Sequence, residues 1–181
     1  MLKIIAFTGM PFSGKTEAVQ VAKKQGIPVV RMGDMVWGEV EKQGLELNDE
    51  NVGNIANQMR NKYGKDIWAK RTLENIKKMG DTDILVIDGV RNVEEIETFK
   101  KELDEDFVVV AIDVSDQVRY ERAMSRDRKD DSKDLEKIKE RDRRELGWGL
   151  GDVIASADIV VSNDKSIEAF FEEIRKILCD I

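Results

Sequence analysis

Apolar and polar positions divide this chain into short apolar runs and longer stretches of helical period. Leu2 to Phe7 (LKIIAF), Ile84 to Ile87 within Asp83–Gly89, Phe107 to Ile112 (FVVVAI) and Asp158 to Ser162 are compact apolar runs of the kind that becomes a buried strand. Ile27 to Arg31 predicts a shorter second strand, ending at Met32-Gly33-Asp34. Between these runs the period changes. Lys15 to Lys24 predicts a helix stopped by Gly26, and Val52, Ile55, Ala56 and Met59 fall at i, i+3, i+4, i+7. That second helix is opened by Asn48-Asp49 and closed near Gly64; another runs from Asp66 to Met79 and stops at Gly80. Val93, Ile96, Phe99 and Leu103 share a face, and Ser115 or Asp116 can cap the helix that follows the fourth strand. The last helix, from Ser166, turns Ile167, Phe170, Phe171, Ile174 and Ile177 to the core. Strands alternating with helices predict a parallel sheet with right-handed crossovers and helices on both faces. Met35 to Met79, about 45 residues of helix, exceeds what a crossover needs and predicts a helical insertion over the sheet edge.

The loop after the first strand carries the clearest chemistry. Gly9-Met10-Pro11-Phe12-Ser13-Gly14-Lys15-Thr16 fits G-x-x-x-x-G-K-[ST] at every fixed position, between a predicted strand and a predicted helix. Gly9 and Gly14 let the backbone curl into a nest of N–H groups, and the helix beginning near Lys15 adds the positive end of its dipole. A polyphosphate would bind there, with Lys15 bridging its β- and γ-phosphates and Thr16 ligating Mg²⁺. A plain Gly-rich turn is the competing reading, which the register of strand, loop and Lys-Thr disfavours. The motif predicts a nucleoside triphosphate site.

Asp88 ends the third strand after four apolar residues, the Walker B arrangement, so it is a candidate to orient Mg²⁺; the alternative is a turn residue or helix cap. Gly9 to Thr16, Asp34, Asp88 and Asn163 all follow strand C-termini, where parallel sheets bind ligands. Further on, Arg119 to Arg144 reads RYERAMSRDRKDDSKDLEKIKERDRR. Arg119, Arg122 and Arg126 at i, i+3, i+7 are expected to share a helix face. Arg141 and Arg144 belong to a charged helix, with Gly147, Gly149 and Gly151 as hinge points beyond it. Arginines on a closing lid would surround a transferring phosphoryl group and exclude water. A solvated helix laced with ion pairs is the other reading of the same pattern.

Composition narrows the classes. The 181 residues suit one domain, and 37% charged residues exceeds the ~25% usual in globular proteins, a thermophile-like balance. A net charge of −7 argues against a nucleic-acid partner. His is absent and Cys179 is the single cysteine, which excludes histidine catalysis and an internal disulfide. The chain has no apolar run near the ~20 residues of a membrane span, and no signal peptide is expected. A soluble, cytoplasmic protein without a membrane partner is expected.

With these motifs in place, the chain resembles the nucleoside monophosphate kinase branch of the P-loop fold over nearly its whole length. Gly9–Thr16, Gly33-Asp34, the helical insertion, Asp88-Gly89-Val90-Arg91, Glu121-Arg122-x-x-x-Arg126 and Ser162-Asn163-Asp164 occur in that family's order. It is most similar to an archaeal group related to adenylate kinases and dephospho-CoA kinases. The resemblance implies a three-layer αβα sandwich with a five-stranded parallel sheet of order 2-3-1-4-5. It implies a core of residues 1–34, 81–126 and 148–181, an acceptor-binding insertion over about 35–80 and a lid over about 127–147. By matched position Arg91 would hold the acceptor, Arg122 would lie near adenine and phosphates, Arg126 would attend the transferring phosphoryl, and Asn163 would border the adenine. Adenylate kinases carry an arginine three residues after the Gly33-Asp34 position, where this chain has Trp37; Arg60 or Arg71 is a candidate replacement. Asp34 matches the base of dephospho-CoA kinases, and it is also an ordinary turn residue.

The expected activity is Mg²⁺-dependent transfer of the ATP γ-phosphoryl group to a small nucleotide-like acceptor, of nucleoside monophosphate or dephospho-CoA type. Lys15, Asp88, Arg91, Arg122, Arg126 and Asp34 are the catalytic candidates; Gly33, Asp34, Arg60 and Arg91 are the candidates for the acceptor. A GTPase switch would need N-K-x-D, and the chain offers Asn163-Asp164-Lys165 instead. A nucleotide-binding sensor or assembly ATPase with little turnover would carry the same binding residues.

Overall fold

The computed structural model describes residues 2–103, 107–126 and 133–180. Its five strands are β1 (Lys3–Thr8), β2 (Val29–Arg31), β3 (Ile84–Asp88), β4 (Phe107–Asp113) and β5 (Ile159–Ser162). They form one sheet of order β2-β3-β1-β4-β5, with every pairing parallel. The order and direction are those the resemblance implied.

Strand alternation builds two cores. Ile4, Ala6, Leu85, Ile87 and Val109 point to one face, and Ile5, Phe7, Val86, Val110 and Ile112 to the other. The second face is covered by α1 (Lys15–Lys24) and α9 (Ile167–Asp180), through Ala18, Val21, Phe170 and Ile174. The first face is covered by α2 (Met32–Lys42), α3 (Asp49–Tyr63), α4 (Ile67–Ile76), α5 (Val93–Leu103) and α8 (Leu150–Ala155). Both faces of β1, β3 and β4 are therefore dry, which is why these strands read as unbroken apolar runs. The helices α6 (Asp116–Ser125) and α7 (Leu135–Gly147) stand beside the C-terminal edge, joined to Phe12 by a small cluster of Ala123, Ile138 and Tyr120.

Helix ends follow local chemistry. The Asn48 side chain accepts from the Asn51 N–H to open α3, and Gly64, at φ 102°, closes it. Two details differ from the sequence reading. Helix α2 starts at Met32, so Gly33 and Asp34 lie in its first turn rather than in a turn of their own. An acidic side chain is favoured there by the helix dipole, and Arg31 donates to it from Nε at 2.7 Å. Arg119, Arg122 and Arg126 all reach the glycine loop, as a shared face would, but not all three from within the helix. Arg119 is buried, and Arg126 stands beyond the last turn of α6 in extended conformation. Of the expected lid, residues 127–132 lie outside the described residues.

Candidate nucleotide and acceptor site

The glycine loop is strained into a cradle and held from outside. Gly9 has φ 142°, and a Cβ there would lie 2.5 Å from the Ile112 carbonyl oxygen. Gly14 has φ 113°, and its Cβ would meet the Asn163 amide at 2.1 Å. Neither position admits a side chain. Loop carbonyls are drawn outward by donors from other elements. Pro11 O accepts from Arg119 Nη1 at 3.0 Å, and Ser13 O accepts from Asn163 Nδ2 at 2.8 Å and from Arg122 Nη1 at 3.2 Å. Arg122 Nη2 also reaches Asn163 O at 3.0 Å. No side chain caps α1, so the first-turn N–H groups remain directed at the cleft.

Lys15 folds back into this loop, where Nζ donates to Gly9 O at 2.6 Å and Met10 O at 3.0 Å. Burial lowers its pKa to about 8, against the pull of Glu145 and Asp88, which favour the ammonium. Phe12 has φ 64°, an uncommon conformation for a bulky residue, and its ring lies 4.4 Å from the Arg126 guanidinium and 5.6 Å from that of Arg141.

A single cavity of about 400 Å³ runs from this loop to the helices between β2 and β3. Gly14, Lys15, Thr16, Arg122, Arg126 and Asn163 line one end, and Asp88, Gly89, Arg91, Arg141, Arg144 and Glu145 line it further along. Gly33, Val36, Trp37, Val52, Gly53, Ala56 and Arg60 line the other. Eight cationic and five carboxylate side chains face it, so the cavity has a positive excess in a chain of net charge −7. An anionic ligand is the charge complement.

The arginines are strung on carboxylates. Arg60 donates from Nη2 to Glu95 at 3.0 Å, while the other oxygen of Glu95 accepts the Arg91 backbone N–H at 2.7 Å. Arg91 Nε reaches Glu145 at 3.2 Å and its Nη1 reaches Gly89 O at 2.6 Å. Arg141 Nε lies 3.1 Å from the second oxygen of Glu145, and Arg144 bonds Asp49 at 2.9 Å. Gly53 permits that approach, since a Cβ there would fall 2.5 Å from the Arg144 guanidinium carbon. Burial alone would push the Glu145 carboxyl up; Arg91, Arg141 and Lys15 outweigh it and bring the pKa down to about 2.

The structure thus brings Gly14 to Thr16, Asp88, Arg91, Arg122, Arg126, Arg141, Arg144, Asn163, Gly33 and Arg60 to one cavity. Asp34 is not among its lining residues: its carboxylate is exposed and bound to Arg31. Arg71 is engaged by Glu39 at 2.8 Å. Sequence reasoning missed Glu145, Asp49, Glu95 and Trp148. One signal for Glu145 was present: the buried positions of α7 are Ile138, Arg141, Asp142 and Glu145, an i, i+3, i+4, i+7 face made mostly of charges.

A parallel five-stranded sheet, a glycine loop at a helix N-terminus and a cationic cleft past the strand ends define a P-loop protein of kinase-like fold. Comparison with known proteins agrees. A family model described as an AAA domain matches residues 8–139. The chain is 42% identical over 177 residues to a UPF0200 protein of Methanosarcina barkeri, covering 98% of this chain and 95% of that one. It is 47% identical over 178 residues to a UPF0200/UPF0201 protein of Archaeoglobus fulgidus, and spans 55% of that relative's length. The chain belongs to the UPF0200 family. Among solved structures, TT1252 from Thermus thermophilus aligns with a TM-score of 0.64 at 15% identity, covering 99% of this chain and 97% of that one. A shikimate kinase from Aquifex aeolicus aligns with a TM-score of 0.53 at 21% identity, covering 97% and 95%. These likenesses concern the fold.

Proposed function

We propose that the protein transfers the γ-phosphoryl group of ATP to a small acceptor, with Mg²⁺. The observation that carries this reading is the continuity of the cavity: one space joins the glycine loop to the pocket between α2 and α3, with Asp88 and Arg91 between them. A hydrolase needs only the first end. A transferase needs a second ligand within reach of the first, with water excluded.

In this reading the loop N–H groups and Lys15 hold the donor phosphates, and Arg122 borders the nucleoside. Arg91, Arg126 and Arg141 neutralise charge on the transferring group. Thr16 and Asp88 are hard oxygen donors lining one cavity, which fits Mg²⁺ when triphosphate oxygens complete its shell. When bound, the ion supplies charge neutralisation between the phosphates. The acceptor lies toward Gly33 and Arg60. Residues 133–147 belong to a lid that closes over both ligands.

The test is an assay with γ-labelled ATP and Mg²⁺, offering AMP, CMP, UMP, GMP, dTMP, dephospho-CoA and shikimate separately, with Lys15→Ala beside each. Label on one acceptor, lost in Lys15→Ala, establishes the kinase. A second reading is a nucleotide sensor with little turnover, favoured by the Glu145 and Asp49 carboxylates that already engage Arg91, Arg141 and Arg144. ATP binding with no acceptor labelled would move the weight there.

A further inference from the structure

Arg60 carries an unusual imbalance. Its side chain is 6% exposed, and only Nη2 is bonded, to Glu95. Its Nε and Nη1 are buried with no hydrogen-bond partner, although Arg60 lines the cavity. Buried guanidinium N–H groups without acceptors are costly and rare, and a group built this way awaits an oxyanion. The guanidinium is also fixed in place, 4.3 Å from the Trp148 ring. Arg144 lies 5.7 Å from the same ring, and its Nε is likewise buried without a partner. Two cations held near one indole thus line the cavity, Arg60 at the end remote from the glycine loop.

The walls around them have a different character. Val36, Trp37, Val52, Gly53 and Ala56 line this end, and no Ser, Thr, Asn, Gln or Tyr between 31 and 68 lines the cavity. Apart from Arg60, the polar side chains that line it there are engaged: Asp49 by Arg144, and Arg31 by Asp34. A ligand rich in hydroxyl groups would surrender its hydration without finding partners.

We propose that this end of the cavity takes an oxyanion borne on an apolar or aromatic body, with its charged group on the unpaired N–H groups of Arg60, and that polyhydroxylated acids are excluded. This rests on the phosphotransfer reading for the role of the ligand, and on Arg60 and the apolar walls for its chemistry. Phosphate and carboxylate share the required chemistry, and the experiment separates them.

All three tryptophans of the chain, Trp37, Trp68 and Trp148, line the cavity, so their emission reports its occupancy. Protein saturated with Mg²⁺ and a non-hydrolysable ATP analogue is titrated with phenyl phosphate, benzoate, ribose 5-phosphate and shikimate, against potassium chloride at equal ionic strength. These four pair an aromatic with a polyol body for each kind of oxyanion. At least one aromatic acid should bind ~10-fold or more tightly than the polyol of the same charge type. Arg60→Lys, which keeps a cation beside Glu95, should weaken it ~10-fold or more while analogue affinity stays within about twofold. Polyol acids binding as tightly as their aromatic counterparts would overturn the proposal, and so would an affinity indifferent to Arg60→Lys. The wild-type comparison stands whether or not the variant folds. An analogue that fails to bind would overturn the donor reading instead, and the four titrations repeated without it still decide the subsite.

Discussion

Glu145→Gln isolates the charge on which the arginine network depends. The wild-type carboxylate is 5% exposed and accepts from Arg91 at 3.2 Å and Arg141 at 3.1 Å, near the Lys15 ammonium. The amide keeps the shape and one acceptor oxygen but removes a negative charge that those three cations share. Breaking a fully buried ion pair costs about 3–5 kcal/mol. Arg91 is 22% and Arg141 11% exposed, so solvent recovers part of that, and about 2–3 kcal/mol is expected. For a domain of this size the melting temperature should fall by about 5–10 °C. The pH dependence fixes the cause. The folded pKa of about 2 lies below the ordinary 4.5, so the stabilisation is complete above 4.5 and fades as pH falls toward 2. Wild type and variant should therefore converge in acid. Inorganic phosphate should restore more stability to Glu145→Gln than to wild type, because it replaces the missing counter-charge. Differential scanning calorimetry across pH, with and without phosphate, measures all three. A variant within 1 °C of wild type, or equal gains from phosphate in both proteins, would refute the reasoning.

Other perturbations give separate signs. The Lys15 pKa of about 8 lies below the ordinary 10.5, so the unfolded chain binds the extra proton between those values and stability should rise with pH across that window. Melting curves should show this slope in wild type and not in Lys15→Met. Triphosphate affinity should move the opposite way, falling as pH rises through about 8, in a binding titration. Asp34→Asn should change phosphotransfer by less than about threefold, since its carboxylate lies outside the cavity; a loss of ~100-fold would restore it as a base. Gly14→Ala places a Cβ 2.1 Å from the Asn163 amide at φ 113°, so it should cost about 2 kcal/mol or more in denaturant unfolding and abolish nucleotide binding.

How far the sequence could be read depended on which physics dominated each segment. β1, β3 and β4 were legible because both of their faces are dry. The glycine loop was legible because Gly9 and Gly14 are required by sterics at fixed spacing. Hydropathy failed where charges are buried in pairs. Arg119 was expected only to share a face with Arg122 and Arg126, but it is 1% exposed and bound to Asp142 at 2.7 Å, holding α6 to α7 and to Pro11. For the same reason the Arg141–Glu145 stretch could be read either as lid arginines or as a solvated helix, and Glu145 was not singled out. Asp34 was read as part of a turn because α2 begins at Met32, three residues earlier than the turn-like Met32-Gly33-Asp34 suggested. The partners of Arg60 and Arg91 lie 35 and 54 residues away, a separation no local pattern reports.

The most direct test of the central claim is the fate of the γ-phosphoryl group when ATP, Mg²⁺ and an acceptor are present together. Product separation after incubation with γ-labelled ATP gives the partition between labelled acceptor and inorganic phosphate. The proposed function, in which one cavity holds both ligands and closure excludes water, predicts label on the acceptor in excess of free phosphate by ~10-fold or more. Label found only as inorganic phosphate, unchanged by any acceptor, would contradict it.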